Sequence, residues 1–404
     1  MLNLENIQKA YQKLSKVAHK TPLAYAPILS NQVGYSVYLK KENLQVTGSF
    51  KLRGAFNKIS NLIEVDSSLK GVVAASAGNH AQGVAFSAKH FGIEATIFMP
   101  ESTPLNKIQG VESYGAKVVL KGSSYDEAYE SALNYAKENK IEFVHPFEND
   151  FVMAGQGSIA LEILEEIDDL DAIVVPVGGG GLISGMAVAV KELNPNIKII
   201  GVASEGAPAM YNSFKSSKII NSKRVKTIAD GIAVKNTSKI TLDYIKEYVD
   251  DMVLVCDDEI ATAILFLLEK QKLLVEGAGA VGVAALLHNK LDLKSNSKVC
   301  VVLSGGNIDV TMLNLIIEKG LVKSYRKMKL VVTLIDKPGA LEEFSHIMRE
   351  AQANIVQIGY DRTSTYLEFG DAHVSVSLET KGKDHQESIR AILNEHGYSF
   401  KEEH

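Results

Sequence analysis

A chain of 404 residues exceeds the size that one hydrophobic core usually organises, so at least two folding units are expected. Hydrophobic residues make up 46% of the composition and charged residues 23%, which is typical of a globular protein. The formal net charge of -5 shows no basic excess, which argues against a nucleic-acid partner.

The sequence also argues against secretion and against membrane insertion. The N-terminus lacks a basic region followed by an apolar stretch, and no apolar run approaches the length of a membrane-spanning helix. Cys256 and Cys300 lie far apart in apolar runs, which predicts reduced thiols. A cytoplasmic protein is expected.

Short apolar strands alternate with helical segments through most of the chain. Strand patterns fall at residues 37–41, 71–76, 95–99, 117–120, 173–177 and 199–203. Helix patterns fall at residues 3–19, 81–90 and 182–193. This alternation predicts an α/β fold with parallel sheets covered on both faces. Ligands bind such sheets at the carboxyl ends of strands, so the loops that follow strands are the candidate sites.

A different pattern begins after a group of basic residues that is interpreted as a connector. Its members are Lys323, Arg326, Lys327 and Lys329. Beyond it, strands are expected at residues 330–335, 354–360 and 372–379, and helices at residues 340–350 and 385–394. This βαββα order predicts a small ferredoxin-like unit. The expected domains are residues 1–326 and residues 327–404.

Lys51 is the candidate nucleophile. It follows the bendable run Thr47-Gly48-Ser49 and precedes a helix-favouring segment, which places it at a junction between loop and helix. A lysine in a partly desolvated pocket loses part of its preference for the charged form, and the neutral amine forms Schiff bases with carbonyl groups. Taken alone, Lys51 is more simply interpreted as a solvated surface lysine. Three glycine-containing loops elsewhere in the sequence favour the nucleophile instead.

Four consecutive glycines at residues 178–181 follow a buried strand and precede a helix. With no Cβ atoms in the way, successive N–H groups at a helix start can surround a phosphate, and the helix dipole favours its negative charge. A plain flexible loop is the alternative. The segment is neither a Walker loop nor a dinucleotide fingerprint, because the following Lys-Ser/Thr and the later acidic residue are missing. Another phosphate is implied.

Two further loops follow predicted strands. Residues 76–83, Ser-Ala-Gly-Asn-His-Ala-Gln-Gly, offer small residues and backbone amides at a strand-to-helix turn, where a carboxylate could bind. A catalytic base at His80 is not expected, because a histidine in such a turn is more often a hydrogen-bonded structural group and the sequence assigns it no acidic partner. Residues 304–307, Ser-Gly-Gly-Asn, form the other loop and add a hydroxyl.

An amine nucleophile, a phosphate cradle and a small-anion turn together match pyridoxal 5'-phosphate, whose aldehyde bonds to a lysine. The chain resembles the threonine/serine dehydratase group of the fold-type II pyridoxal-phosphate enzymes. The resemblance rests on residues 49–55, 76–83, 178–182 and 304–307, which occur in the family order. It implies a catalytic domain of two parallel-sheet α/β lobes, the smaller one spanning roughly residues 45–150.

The resemblance implies a role for each matching residue. Lys51 would hold the cofactor aldehyde and then serve as the base, and Phe50 would pack on the ring. Asn79 would bond the ring hydroxyl, and Ser304 the pyridine nitrogen. Further cofactor contacts would come from Gly178, Gly179, Gly180, Gly181, Leu182 and Gly231. Donors to the substrate carboxylate would come from Ser76, Gly78 and His80.

The C-terminal unit resembles an ACT domain, a small amino-acid-sensing module, through the turn at residues 336–341. One such unit after a full catalytic domain is similar to the single-ACT threonine ammonia-lyases. The resemblance implies an amino-acid effector, with isoleucine and valine as candidates from the biosynthetic enzymes. Its contacts would fall on Asp336, Gly339, Ala340 and Leu341. A dimerisation tail without a ligand is the alternative.

The implied reaction converts L-threonine to 2-oxobutanoate and ammonia, and L-serine to pyruvate. Serine racemase is the nearest alternative, although the resemblance implies a second serine where this chain has Ala77. Such racemases bind a divalent cation near Glu205 and Ala209, but Tyr211 stands near the place of the third acidic ligand, so no metal is assigned. A β-replacement enzyme and an inactive amino-acid-responsive protein also stay open. A homodimer or homotetramer is expected.

Overall fold

The computed structural model describes residues 1–365 and 367–403. The chain divides into two compact units, one of Met1–Asp309 and one that begins at Val310. Of the helices described, none combines the length and the apolar character that crossing a bilayer needs.

Strands and helices alternate along the first unit. Its strands are β1 (Leu23–Tyr25), β2 (Ser36–Lys40), β3 (Gly71–Ala75), β4 (Glu94–Met99), β5 (Lys117–Leu120), β6 (Glu142–Phe143), β7 (Ala172–Pro176), β8 (Lys198–Ser204), β9 (Asp251–Val255) and β10 (Lys298–Val302). Its helices are α1 (Leu4–Leu14), α2 (Pro27–Val33), α3 (Lys51–Val65), α4 (Asn79–Phe91), α5 (Leu105–Glu112), α6 (Tyr125–Asn139), α7 (Asp150–Glu166), α8 (Gly181–Leu193), α9 (Ala209–Ser216), α10 (Lys239–Tyr248), α11 (Asp257–Phe266) and α12 (Gly277–Leu287). Short 3-10 turns cover Glu42–Leu44 and Asp230–Ile232, and a π-helical turn covers Leu267–Gln271.

These strands form two sheets, and the predicted α/β fold with parallel sheets is confirmed. The larger sheet has six strands in the order β1-β2-β10-β7-β8-β9, all parallel except β1, which runs antiparallel to β2. The smaller sheet has four parallel strands in the order β5-β4-β3-β6. We call the parts of the first unit built on these sheets the large lobe and the small lobe.

The central strands are buried along their whole length. Every residue of β3 and of β7 is inaccessible to solvent, which explains why these segments are continuous apolar runs without the alternation of a half-exposed strand. Helix α3 packs on α4 of the small lobe and on α7. Lys51 is the first residue of α3, so the candidate nucleophile lies where helices of both lobes meet.

Helix α1 ends at Leu14, earlier than the helix expected at residues 3–19. Beyond Leu14 the backbone forms a turn, in which the N–H groups of Val17 and Ala18 both donate to the carbonyl of Leu14. Val17 nevertheless packs against the cluster that contains Leu14 and Leu52. The helical spacing of apolar residues therefore continues past the point where the backbone leaves the helix.

The second unit contains one antiparallel sheet and its helices. Its elements are α13 (Val310–Lys323), β11 (Lys327–Ile335), α14 (Ala340–Glu350), β12 (Asn354–Asp361), β13 (Asp371–Glu379), α15 (Lys383–Glu395) and β14 (Ser399–Glu403). The strand order is β12-β13-β11-β14. The predicted βαββα order was incomplete, because β14 pairs with β11 and makes the order βαββαβ. Phe400 is the one strongly apolar residue of β14, so its sequence carries little strand signal.

The prediction of a basic connector before the second unit was wrong in part. Lys327 and Lys329 lie within β11, and Lys323 ends α13. Helix α13 contacts β11, and the Lys327 ammonium lies 2.6 Å from the Glu318 carboxylate on that helix. The compact division thus precedes α13, whereas the boundary predicted at 326/327 follows it. The boundary between the catalytic and the ACT-like domain at residues 326 and 327 stays a prediction.

Candidate active site

Lys51 is the first residue of α3, and its side chain is partly buried. Its Nζ donates a hydrogen bond to the carbonyl oxygen of Pro146 at 2.9 Å. Burial lowers the pKa of Lys51 from its ordinary value to about 8, and the Glu276 carboxylate offsets part of that shift. The amine is therefore uncharged in a usable fraction of molecules near neutral pH, as a nucleophile or base requires.

The glycine segment at residues 178–181 joins β7 to α8, and we call it the glycine loop. Among the described residues, no hydrogen bond uses the backbone N–H of Gly178, Gly179 or Gly180. Gly180 has a φ of 88°, and a Cβ atom at Gly179 would lie 2.5 Å from ring carbons of Phe147. The loop thus presents free donors at a helix N-terminus, and its close packing leaves no room for side chains. These features fit a bound phosphate.

The turn at residues 76–80 joins β3 to α4. Gly78 N–H donates to the Ser76 hydroxyl at 3.2 Å. The His80 ring is buried, and its Nε2 donates to the Val144 carbonyl at 2.8 Å. Burial lowers the pKa of His80 to about 3, so the ring is neutral. Because the ring proton is engaged by Val144, the backbone N–H of His80 is the donor left for a substrate.

A chain of side-chain hydrogen bonds fixes the amide of Asn79. Asn79 Nδ2 donates to Glu276 Oε1 at 2.7 Å, and Asn307 Nδ2 donates to Asn79 Oδ1 at 2.8 Å. Burial raises the pKa of Glu276 to about 7. Asn79 belongs to the small lobe, whereas Glu276 and Asn307 belong to the large lobe, so these two hydrogen bonds also connect the lobes. One N–H of the Asn79 amide remains for a further acceptor.

The structure brings every residue predicted for catalysis, cofactor or substrate to one cavity of about 650 Å3. The predicted residues that line it are Phe50, Lys51, Ser76, Gly78, Asn79, His80, Gly178, Gly179, Gly180, Gly181, Leu182, Gly231 and Ser304. The predicted effector residues, Asp336, Gly339, Ala340 and Leu341, lie in the second unit. Among the described residues, no three His, Cys, Asp or Glu side chains converge as metal ligands would.

Sequence reasoning missed several residues of this cavity, and four of them bear directly on the geometry of the site. Glu276 lies just before α12, and His145, Pro146 and Phe147 follow β6. The rule that loops after parallel strands carry the site would have found the second group if β6 had been recognised. β6 has only two residues, which is too short for a periodicity to show.

The residues around the cavity fit pyridoxal phosphate. An uncharged amine can bond to its aldehyde, the glycine loop can bind its phosphate, and Asn79 has a donor for its ring hydroxyl. The sequence profile described as "Pyridoxal-phosphate dependent enzyme" matches residues 14–305. The chain therefore belongs to the pyridoxal-phosphate dependent enzymes, and the predicted family and cofactor are confirmed.

Individual relatives are similar over most or all of the chain. A protein from Thermotoga maritima named L-threonine ammonia-lyase is 50% identical over 401 residues, which cover 99% of each chain. The processed form of threonine deaminase isoform 2 from Solanum lycopersicum is 38% identical with a TM-score of 0.74, over 78% of this chain and 86% of that chain. Maize serine racemase is 34% identical with a TM-score of 0.74, over 80% of this chain and 99% of that chain. Similarity of fold thus extends to lyase and racemase alike.

Proposed function

We propose that this chain converts L-threonine to 2-oxobutanoate and ammonia by α,β-elimination, and that it also accepts L-serine. The observation that carries the proposal is the convergence of the partly buried Lys51 amine and the unbonded N–H groups of the glycine loop on one cavity. The substrate comes from the relative named L-threonine ammonia-lyase, which is 50% identical over the whole chain.

We assign the cofactor to residues that line the cavity. Lys51 would bond to its aldehyde, Phe50 would pack on its ring and Asn79 would donate to its ring hydroxyl. The glycine loop, Leu182 and the first turn of α8 would bind its phosphate through backbone N–H groups. Gly231 lines the same cavity, and a Cβ atom there would lie 2.9 Å from the Ala278 side chain.

Lys51 is the proposed base. Pyridoxal phosphate, when bound, withdraws electron density from the α-carbon of an amino acid joined to it and so acidifies the α-proton. A pKa of about 8 suits Lys51 to accept that proton near neutral pH, and the Pro146 carbonyl orients the amine. His80 and His145 have pKa values lowered by burial to about 3 and about 4, so both rings are neutral at neutral pH and are much weaker bases than Lys51.

Other residues of the cavity orient the substrate and select the reaction. Ser76, Gly78 and the backbone N–H of His80 bind the substrate carboxylate in this proposal, at the N-terminus of α4. Ser304 supplies a hydroxyl to the pyridine nitrogen. A hydroxyl, unlike a carboxylate, does not strongly favour a protonated ring nitrogen, and this favours elimination over transamination.

The test is an assay of ammonia and 2-oxo acid with L-threonine, on the wild-type chain and on Lys51→Ala. We expect turnover in the wild type and its loss in Lys51→Ala, because both the cofactor bond and the base are removed. Lys58→Ala, on the same helix but outside the cavity, is the matched control and should keep its activity. Near-normal turnover by Lys51→Ala would refute the assigned role.

Racemisation of serine is a second candidate, supported by the similarity to maize serine racemase. We propose that it is slow here, because the cavity presents Ala77, which has no hydroxyl to protonate the opposite face of the α-carbon. Chiral chromatography of an L-serine reaction should show pyruvate with little D-serine. Formation of D-serine as fast as pyruvate would reverse the assignment.

We also propose that the second unit is an ACT domain that binds a small amino acid at the turn between β11 and α14. Asp336 accepts a hydrogen bond from the Tyr360 hydroxyl at 2.9 Å and pairs with Arg362 at 3.1 Å. Gly339, with a φ of 88°, precedes α14, and the Leu341 side chain is partly exposed. Threonine turnover with and without isoleucine and valine tests this proposal, and no response to any amino acid would favour a dimerisation unit instead.

The working state that we propose is a homodimer or homotetramer in the cytoplasm. Cys256 and Cys300 are both free, which fits a reducing compartment. Sedimentation of the purified chain would give its subunit number.

A further inference from the structure

The turn after β6 is held by an unusual acceptor, a histidine ring nitrogen. His145 Nδ1 accepts hydrogen bonds from the backbone N–H groups of Glu148 at 2.8 Å and Phe147 at 3.3 Å. The ring packs at right angles to Phe147, with 4.7 Å between ring centroids, and also lies edge-on to Tyr129 and Phe143. A side-chain acceptor two and three residues before its donors is the geometry that Asp and Asn use in Asx turns.

This acceptor role requires one tautomer of a neutral ring. Nδ1 can accept only if the ring proton is on Nε2. Protonation of Nδ1 would replace both hydrogen bonds by a contact of like donors. The ring is mostly buried, and Lys51 adds a nearby positive charge, so both effects keep His145 neutral. Glu148 is the neighbouring carboxylate, with Oε2 3.9 Å from His145 Nε2.

Two groups needed by the proposed reaction touch this turn from different sides. The Pro146 carbonyl accepts the hydrogen bond from the Lys51 amine at 2.9 Å. Phe147 fills the space behind the glycine loop, where Cβ atoms at Gly179 and Gly181 would lie 2.5 Å and 2.8 Å from it. Both the lysine amine and the phosphate cradle are thus placed against residues whose backbone His145 fixes.

We propose that His145 is a positioning residue, which acts as a hydrogen-bond acceptor that sets Pro146 against Lys51 and Phe147 against the glycine loop. It takes no part in proton transfer. This inference rests on the proposed function for its effect on turnover, but its structural premise concerns the turn alone. Without the acceptor, two backbone N–H groups beside the cavity lose their partner, and the turn loses the side-chain hydrogen bonds that stabilise its shape.

The variants His145→Asn and His145→Leu separate an acceptor from an apolar filler. Asn keeps an oxygen that can accept from the same N–H groups, whereas Leu fills space and accepts nothing. His288→Asn changes an exposed histidine that does not line the cavity and is the matched control. Each apo-protein is titrated with pyridoxal phosphate by visible absorbance, and kcat and KM for threonine are then measured.

We expect His145→Leu to weaken cofactor affinity by about tenfold or more and to lower kcat more than it raises KM. His145→Asn should recover most of both losses, and His288→Asn should match the wild type. Equal losses in the Asn and Leu variants would overturn the acceptor role, because the ring itself would then be required. Unchanged affinity and kcat in His145→Leu would overturn the positioning role.

A measurement on the wild-type apo-protein keeps the proposal testable if His145→Leu does not fold. Nitrogen NMR of histidine-labelled protein should show His145 with its proton on Nε2 and no titration from pH 6 to pH 8. A proton on Nδ1 would overturn the proposal. Failure of the proposed function would appear differently, as a wild-type chain that neither binds pyridoxal phosphate nor consumes threonine.

Discussion

Lys51 and Glu276 line the same cavity, and each has a pKa shifted from the value that its residue type ordinarily shows. Burial disfavours the charged form of each, so the pKa of Lys51 is lowered to about 8 and that of Glu276 is raised to about 7. The Glu276 carboxylate favours the Lys51 ammonium, which links the two titrations. Burial is the larger influence on Lys51, and the charge on Glu276 reduces the fraction of Lys51 that is available as a neutral amine.

We predict that Glu276→Gln shifts the pH dependence of cofactor attachment to lower pH. Attachment needs the neutral amine, so its rate in the wild type should rise with pH through a midpoint near pH 8, the pKa of Lys51. Gln keeps an acceptor for Asn79 but removes the negative charge, so the pKa of Lys51 falls and the midpoint falls with it. Stopped-flow absorbance on apo-protein measures the profile.

Glu138→Gln, which alters an exposed carboxyl on α6, is the control for this measurement and should leave the midpoint in place. A midpoint that stays fixed or moves upward in Glu276→Gln would show that the carboxyl does not act on Lys51 through its charge.

At the scale of elements, helix α3 is anchored two residues beyond Lys51 by a buried network of charges. The Arg53 guanidinium lies 2.8 Å from Glu42 and 2.6 Å from Glu162, and all three side chains are almost completely buried. Lys40 also lies 2.6 Å from Glu162. Two cations thus balance two carboxylates, and the network ties α3 to α7, to β2 and to the 3-10 turn at Glu42–Leu44.

We predict that Arg53→Met lowers the free energy of unfolding by about 3 to 5 kcal/mol, because the buried Glu42 carboxylate would lose its paired cation and Glu162 would keep only Lys40. Arg53→Lys keeps the charge but cannot reach both carboxylates with a planar fork, so its loss should be smaller. Urea unfolding gives both values. Lys9→Met, which removes an exposed pair with Glu5, is the comparison and should cost about 0 to 1 kcal/mol. An Arg53→Met loss no larger than that would contradict the role of the network.

We predict that Gly180→Ala weakens cofactor binding while Gly92→Ala does not. Both glycines have positive φ values, 88° and 69°, so alanine costs about 1 to 2 kcal/mol of stability at either site. At Gly180 the Cβ would also lie 2.8 Å from the Ile245 side chain, whereas at Gly92 it would meet nothing within 4 Å. Cofactor titration and urea unfolding separate the two effects, and equal affinities in the two variants would argue against a shaped phosphate cradle.

The sequence was sufficient to predict the elements with long apolar runs and the loops that follow them. Lys51 and the glycine loop were found in this way, since each lies where a strongly patterned element begins. Glu276 was not found, because its hydrogen-bond partner Asn79 lies 197 residues away and nothing local marks a carboxyl that burial has altered. β14 was missed for a related reason: its pairing with β11 makes it a strand, and its own composition does not.

At the scale of the whole molecule, the catalytic unit and the second unit are separable in the comparisons. The similarity to maize serine racemase covers 99% of that chain but 80% of this one, so a complete relative exists at roughly the length of the first unit. The Thermotoga maritima relative instead matches 99% of each chain. Because the cavity also lies within the first unit, we expect elimination chemistry to reside there.

We predict that a chain ended after Arg326 keeps threonine turnover and loses its response to isoleucine or valine. The cavity is lined by residues of the first unit, whereas the proposed effector turn is in the second. Initial rates at increasing effector concentration, compared with the full chain, give the result. A response that survives the truncation would place the effector site outside the removed residues. A second truncation after Asp309 also removes α13 and tests whether turnover by the first unit depends on that helix.

The hydrogen bond from Asn79 to Glu276 spans the two lobes, so it can report on movement between them. Its hydrogen can exchange with deuterated solvent only when the bond breaks, which requires the lobes to part or the Asn79 amide to turn over. Exchange at this one side chain would therefore report how often the lobes separate or the amide rotates in the absence of ligand. A compound that stabilises separated lobes would accelerate the exchange, and one that stabilises closed lobes would slow it. Inhibitors could thus be classified by the arrangement that they stabilise before any turnover is measured.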